Sequence, residues 1–487
     1  MSDDEADPEL LELLRQSLGI SQPTHGEVSS DTGVLRDAEY IYSNAIDVSI
    51  DMYGTKAAAA EIYKTMQEKS YSTETWSEHE LHPKMSEGFT ELDIVNFVFT
   101  MDLLNFSFWS ELSSEERFQV EYRGKRWTGY NSLVASLRRA LDESIPITTP
   151  RYWRTRGFTD DVLQHVFRSA TAEPIPLLEQ RMSILREAGD VLRESFGDET
   201  DGEDTIDGTE ELVEGSQYIE SLRMDIDGPA SDAHRDNTET TTYEVDAIAN
   251  GKAHTSLSSD RVEIKSGSGL TSDQVSPPLD TGTSDQVHDS SRSPVNTNAT
   301  SGLRRPRDVV RPDHAVVQMI QRADQSAGKL VNLLAKHFEC FRDETRFDGR
   351  RVRLLKRAQI FVADLWAALN QRGLGEFVDI GHLTMFADYR VPQALHSLGV
   401  LTYSPPLDYH LRDMKPLRSG HSWEVQLRGC SIWAVELLRR EIVKSQPEAA
   451  NTLNAVLIDF FLYDLAKERE RAGIPGIPTQ RTRSIWY

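Results

Sequence analysis

The sequence predicts a mainly α-helical single domain with a short β-hairpin or small sheet, interrupted by a disordered insertion. Three observations carry this. Apolar residues recur at three- and four-residue intervals through most of residues 36–197 and 313–487, the spacing of one buried helix face. Alternation of apolar and polar residues is brief, and is clearest around Arg123, Gly124 and Lys125. Residues 198–312 are rich in Ser, Thr, Asp and Gly and almost lack aromatics, so they bury too little apolar area to offset the entropy of ordering them.

The formal charge of the 487-residue chain is −25, and it is unevenly placed. Residues 1–35 hold eight acids and one arginine, residues 198–250 seventeen acids and two arginines, and residues 251–304 six acids and five bases, which leaves the rest near −2. The expected organisation is an acidic tail over 1–35, half a domain over 36–197, the insertion over 198–312, and a second half over 313–487. A nearly neutral body lacks the concentrated basic footprint of a duplex-binding surface and suits a small ligand better. Two cysteines, Cys340 and Cys430, exclude a disulfide framework or Cys-rich zinc site and suggest a reducing compartment. The thirteen histidines are scattered, with no His-Glu-x-x-His or Cys-x-x-Cys pattern, so no metal is expected. The acidic N-terminal residues show no secretory signal, and no apolar run approaches the ~20 residues that cross a bilayer. A cytoplasmic location is expected.

Helical stripes run through residues 37–46 and, after a break at Gly54, through 57–66. Residues 76–83 read as a loop or short turn carrying His79, by itself a solvated histidine able to change charge near neutral pH; His82 is a weaker candidate. Residues 94–109 are so apolar that they must bury, and polar groups among them need partners. Asn105 fits either a base-edge contact, with Phe106 or Trp109 stacking beside it, or a cap on neighbouring backbone. Residues 118–127 read as the hairpin and 130–143 as a helix. Thr159 followed by two acids opens another helix, and residues 177–196 form a long amphipathic one.

Beyond the insertion, residues 316–338 trace one long helix. Residues 346–357 are the basic cluster of the body, read either as a phosphate site with Lys356 as its ligand or as a solvated strand and helix start. Residues 358–369 form an apolar helix containing Asp364, and Asp379 is a natural N-cap for the short helix after it. Residues 423–430 read as a brief strand, with Ser431 capping a helix over 432–443.

Residues 384–393 (TMFADYRVPQ) place Asp388 between Phe386 and Tyr389 and beside Arg390. Pro392 suits the first turn of a helix and Gly399 its left-handed end. Asp388 is therefore either an N-cap or a carboxylate facing a pocket, where aromatic walls would let it stabilise the positive charge of glycosidic cleavage. Residues 452–469 embed Asp459 and Asp464 in almost continuous apolar sequence. On a helix Phe460 and Asp464 stack one above the other, with Asp459 at the edge of that arc. Such a helix is buried, and burial raises a carboxyl pKa. The two acids are either satisfied structurally or grip a polar heterocycle stacked on Phe460.

Residues 384–393, together with 105–109 (NFSFW), 122–125 (YRGK) and 140–148 (ALDESIPIT), resemble the queuosine salvage protein family over approximately 36–197 and 313–487. The resemblance implies an N-glycosidase that hydrolyses queuosine 5′-phosphate and releases queuine. It implies a helical architecture like that of helix–hairpin–helix DNA glycosylases; the Gly-rich hairpin of those enzymes is not evident, so duplex binding is not carried over. Asp388 becomes the catalytic residue below C1′, and His79, Phe386, Asp459, Phe460 and Asp464 fall at the base pocket, with Asn105, Tyr389 and Lys356 as further substrate-binding candidates. A 7-deazapurine lacks the N7 that ordinary purine glycosidases protonate, so the base must be polarised through other edges. Phe460 stands where the family commonly has tyrosine, and Gln480 where it has histidine. No cofactor is implied, and the expected partner is the small-molecule substrate alone, bound by a monomer without tRNA, DNA or membrane. A non-enzymatic helical adaptor with a vestigial pocket and a nucleic-acid base glycosylase are the competing readings.

Overall fold

A computed structural model describes residues 28–197 and 312–487. Residues 1–27 of the expected tail and 198–311 of the expected insertion lie outside the described residues. Those described are mainly helical, with three two-stranded antiparallel sheets, as the residue spacing predicts.

In the first half, α1 (Val34–Asn44) leads through β1 (Val48–Ile50) into α2 (Met52–Glu68), and α3 (Glu74–Ser77) opens the turn that carries His79. The α4 helix (Glu91–Leu103) starts on a Thr90–Asp93 capping box and buries every residue from Ile94 onward. Strands β2 (Val120–Tyr122) and β3 (Lys125–Trp127) form the expected hairpin, turned at Gly124 with φ +71°. Helices α5 (Tyr130–Asp142), α6 (Asp160–Val166) and α7 (Leu178–Phe196) complete it, and the Thr159 side chain caps α6 by accepting the amide of Val162.

The second half comprises α8 (Ala315–Arg322), α9 (Ala327–His337), β4 (Glu344–Phe347), β5 (Arg350–Arg353), α10 (Lys356–Ala368), α11 (Arg390–Ser397), β6 (Leu401–Tyr403), α12 (Pro405–Arg412), α13 (Ser422–Ser445) and α14 (Ala455–Arg471). It does not pack as a separate body. Strand β1 pairs antiparallel with β6, Val48 opposite Tyr403 and Ile50 opposite Leu401. Helix α13 lies on α1 and α2, and α10 lies on α4. The two halves touch backbone to backbone at Gly54, where an added Cβ would stand 1.9 Å from the carbonyl oxygen of Gly399. Gly399 itself, with φ +71°, follows α11 in the left-handed conformation expected of it.

Four local expectations are corrected. The single helix over 316–338 is two, because Asp324 and Gln325 adopt positive φ and Ser326 caps α9 by accepting the amide of Lys329 at 3.1 Å. Asp379 does not cap its own short helix; its carboxylate accepts Ser326 Oγ at 2.6 Å and the amide of Ala327, capping α9 from 52 residues away. Residues 423–430 are not a strand but the opening of α13, which buries nearly every residue from Glu424 to Val435. A helix enclosed on all sides has no polar face, so its spacing loses the helical signature. The tail drawn to residue 35 is too long at its inner end: Asn332 Nδ2 donates to the carbonyls of Ser29 and Asp31 at 2.7 and 3.0 Å, and Val34 already begins α1.

Candidate active site

The loop between α10 and α11 delivers Asp388. Its Oδ1 accepts the amides of Arg390 and Val391, each at 2.9 Å, at the positive end of α11. The capping role is thus real, but it engages one oxygen only; Oδ2 has no hydrogen-bond partner among the described residues. Burial raises the carboxyl above its usual range, while those amides and the Lys356 ammonium hold it back.

Two segments distant in sequence close on this loop. Helix α14 packs against α11, and Asp459 Oδ1 accepts the amide of Phe386 at 3.0 Å. Burial, then repulsion from Asp388, lifts the Asp459 carboxyl well above the ordinary range, while the Phe386 amide and Lys356 oppose the rise. The rings of Phe386 and Phe460 are tilted against each other, with centroids 6.1 Å apart and planes at 54°. From α10, Lys356 enters the same space. Burial lowers its pKa, and the nearby Asp388, Asp102 and Asp459 oppose that fall.

The basic cluster, read as a phosphate site or as a solvated strand and helix start, does lie on a strand and a helix start, with much of its charge paired. Arg350 pairs with Asp37 at 2.7 Å, Arg351 and Arg353 pair with Glu344 at 2.6 and 3.1 Å, and buried Arg357 donates to the carbonyls of Leu103 and Cys340. Of residues 346–357, Lys356 faces Asp388, Asp102 and Asp459, and Arg357 faces Asp102.

At the far end of α14's inner face, the Tyr71 hydroxyl donates to Asp464 Oδ2 at 2.6 Å, and its ring meets Phe461 edge-on. His79 is half-buried close to this pair. Its Nδ1 accepts the amide of Leu81 at 3.3 Å, so the neutral ring carries its proton on Nε2. Burial and then Lys467 hold its pKa down. Lys467 lies over the Tyr463 ring, 4.6 Å from its centre, and burial and Arg390 push it down to about 8. Tyr389 is half-buried between Arg390 and Tyr463 in the same electrostatic neighbourhood.

Asn105 and its aromatic neighbours divide. Asn105 is buried and donates to Asp102 Oδ1 at 3.2 Å, at the edge of the cluster. Phe106 does not stack in the pocket; it lies between the guanidinium groups of Arg181 and Arg357, 4.3 and 4.9 Å from its centre. Trp109 is also occupied elsewhere, donating to the Thr482 carbonyl beneath Arg483.

The sequence reading missed Asp102 and gave Asp364 no role. Both are buried beside Lys356; burial pushes Asp102 up to about 7 and Asp364 well above the ordinary range. Among the described residues, nothing hydrogen-bonds the buried Oδ2 of Asp102. The signal that singled out Asp459, an acid inside a continuous apolar helix, marks these two as well. His82 is a structural residue: it stacks on Trp76 at 3.8 Å, reaches the Trp76 carbonyl and Tyr130 hydroxyl, and is pushed down to about 3 by burial.

Two open clefts lie elsewhere. One of about 960 Å³ runs between Trp153 and Arg193, but charges there answer each other, as in Arg186–Asp160 at 3.7 Å. The other, about 320 Å³, lies behind Leu383, Thr384 and Met385. Neither contains the Phe386–Phe460 pair or carboxyls raised by burial, which make the Asp388 cluster the better candidate.

A family model described as queuosine salvage protein matches residues 81–202 and 292–487. Three relatives are each named queuosine 5′-phosphate N-glycosylase/hydrolase. The one from Nematostella vectensis is 31% identical over 459 residues, covering 92% of this chain and 96% of its own. That from Bos taurus is 32% identical over 455 residues, covering 92% and 97%. That from Schizosaccharomyces pombe is 30% identical over 469 residues, covering 93% and 99%.

Proposed function

This chain belongs to the queuosine salvage protein family, and from that premise we propose that it is a hydrolase of N-glycosyl bonds, cleaving queuosine 5′-phosphate to queuine and ribose 5-phosphate for salvage into tRNA modification. The observation that carries the reading is the free oxygen of Asp388, held in a buried cluster with Asp459 and Lys356 and beside Phe386 and Phe460. Breaking the ribosyl C–N bond leaves positive charge near C1′, and a carboxylate fixed below that carbon stabilises it. Water then adds to C1′ while Asp388 takes its proton. The departing base needs a proton in exchange, and Asp459, whose carboxyl pKa burial raises, supplies one. Asp464 and His79 hold the polar edge of the base, which stacks on Phe460, with Phe386 beside that ring.

Asn105 supports the cluster from Asp102, Tyr389 flanks the sugar, and Lys356 is the phosphate ligand, drawing on binding energy away from the reacting bond. The free nucleotide is the substrate, used by a monomer in the cytoplasm without tRNA or DNA contact, in keeping with the near-neutral charge outside the acidic appendages. Among the described residues no helix is long and apolar enough to cross a membrane. Incubation with queuosine 5′-phosphate, followed by chromatography for free queuine, tests the activity; no release above the protein-free control overturns it. Gel shifts with tRNA and DNA test the exclusion of nucleic acid.

A further inference from the structure

A buried ion pair, Arg428–Asp343, lies directly behind the loop that carries Asp388. Arg428, on α13, is 2% exposed and sends Nε to the carbonyl of Ala387 at 2.9 Å, the residue immediately before Asp388. Both its terminal nitrogens donate to the Asp343 carboxylate. The same carboxylate, through Oδ2, accepts the amide of Lys356 at 3.2 Å. Backbone at Asp388 and backbone at Lys356 therefore hang on one Arg–Asp pair.

That pair is itself braced. The Tyr487 ring lies against the guanidinium, 4.3 Å from its carbon to the ring centre. The Tyr487 hydroxyl donates to Glu424 Oε1 at 2.9 Å, and Gln480 Nε2 donates to that hydroxyl at 2.8 Å. Glu424 Oε1 also accepts from Arg428 Nη1 at 3.3 Å, and Oε2 accepts the amide of Gly420 at 2.9 Å.

We propose that Arg428, clamped by Asp343 and braced by Tyr487 and Glu424, is a positioning residue that fixes the Asp388 carboxylate relative to Lys356. The inference rests on Asp388 being the catalytic carboxylate. Stability alone gives little reason for the arrangement, since a buried ion pair is commonly no more stabilising than apolar residues of the same volume. A guanidinium, however, presents its donors in a fixed plane, so it sets the carbonyl of Ala387 and the carboxylate of Asp343 in one geometry; an ammonium at the same place cannot.

The test is Arg428→Lys in the full chain, which keeps the charge and loses the fork. Steady-state turnover of queuosine 5′-phosphate, queuine affinity and the pH dependence of kcat are measured. Misplacement of the carboxylate lowers kcat by about 10- to 100-fold, with queuine affinity essentially unchanged. The acid limb of the kcat profile moves to higher pH, because loosening the loop weakens the amide bonds from Arg390 and Val391 and shifts Asp388 relative to Lys356 and Arg390, all of which favour its ionised form; of the other groups facing Asp388, Tyr389 moves with the loop while Asp459 and Tyr463 stay on α14. Wild-type kcat and an unmoved acid limb, with only a lower melting temperature, overturn the proposal. If Arg428→Lys does not fold, Tyr487→Phe removes only the hydroxyl brace. A several-fold lower kcat with the limb moved the same way supports the proposal, and an unchanged profile overturns it. Absence of turnover in the unmodified protein defeats the hydrolase reading instead, and is recognised before any variant is compared.

Discussion

The amide of Phe386 donates to Oδ1 of Asp459 at 3.0 Å, across 73 residues of sequence. This bond joins the loop that delivers Asp388 to α14, and it makes Asp459 both a brace and a candidate proton donor. The two duties are separable. Asp459→Asn keeps an oxygen for the Phe386 amide, so its melting temperature stays near wild type while turnover falls. Asp459→Leu leaves that buried amide unpaired, costing about 1–3 kcal/mol of stability. Urea denaturation of the two variants checks this, and equal stability would show that the bond does not matter.

Asp388→Asn preserves the acceptor for the amides of Arg390 and Val391 and removes the charge. Turnover should drop by about 10²- to 10⁴-fold, with queuine still bound and the circular dichroism spectrum unchanged. An Asn variant turning over at the wild-type rate removes Asp388 from the chemistry.

Asp102 gives the chain a pH signature. Burial raises its folded-state pKa from the model-peptide range to about 7, so the native protein retains a proton that the unfolded chain has lost. Its stabilising contribution is complete below about pH 4 and is lost as pH rises toward 7. Asp102→Asn, which cannot ionise, should therefore gain stability relative to wild type by about 1–3 kcal/mol between pH 4.5 and 8. Denaturation midpoints at the two pH values decide it; a gap that narrows with rising pH contradicts the assignment.

Gly54→Ala probes the seam between the halves. The added Cβ meets the Gly399 oxygen at 1.9 Å, a backbone atom that no side-chain rotation can move. The cost is about 1–3 kcal/mol or more, read as a lower melting temperature, and a neutral substitution would mean that the β1–β6 seam is looser than described.

Much of the architecture was legible in linear order. The stripe beneath α5, the Thr159 cap, the Arg123–Lys125 turn and the helix end at Gly399 all follow from forces between residues a few positions apart. The α13 helix was not, because its enclosure on every side leaves no polar face to set a period. The break between α8 and α9 was not either, since the carboxylate that caps α9 comes from Asp379.

The site divides along the same line. Acids embedded in apolar sequence are expected to be buried before any fold is known; Asp459 is buried and Asp464 half-buried, while Asp388 is singled out by its aromatic neighbours and by family resemblance. Only the tertiary structure decides that Asp388 keeps one oxygen free, that Asp102, Asp364 and Lys356 share its surroundings, and that Phe106 and Trp109 lie under arginines outside the pocket. A sequence specifies which side chains must leave water; which of them then meet depends on how α4, α10, α11, α13 and α14 pack, and contacts over that separation leave no local pattern to read.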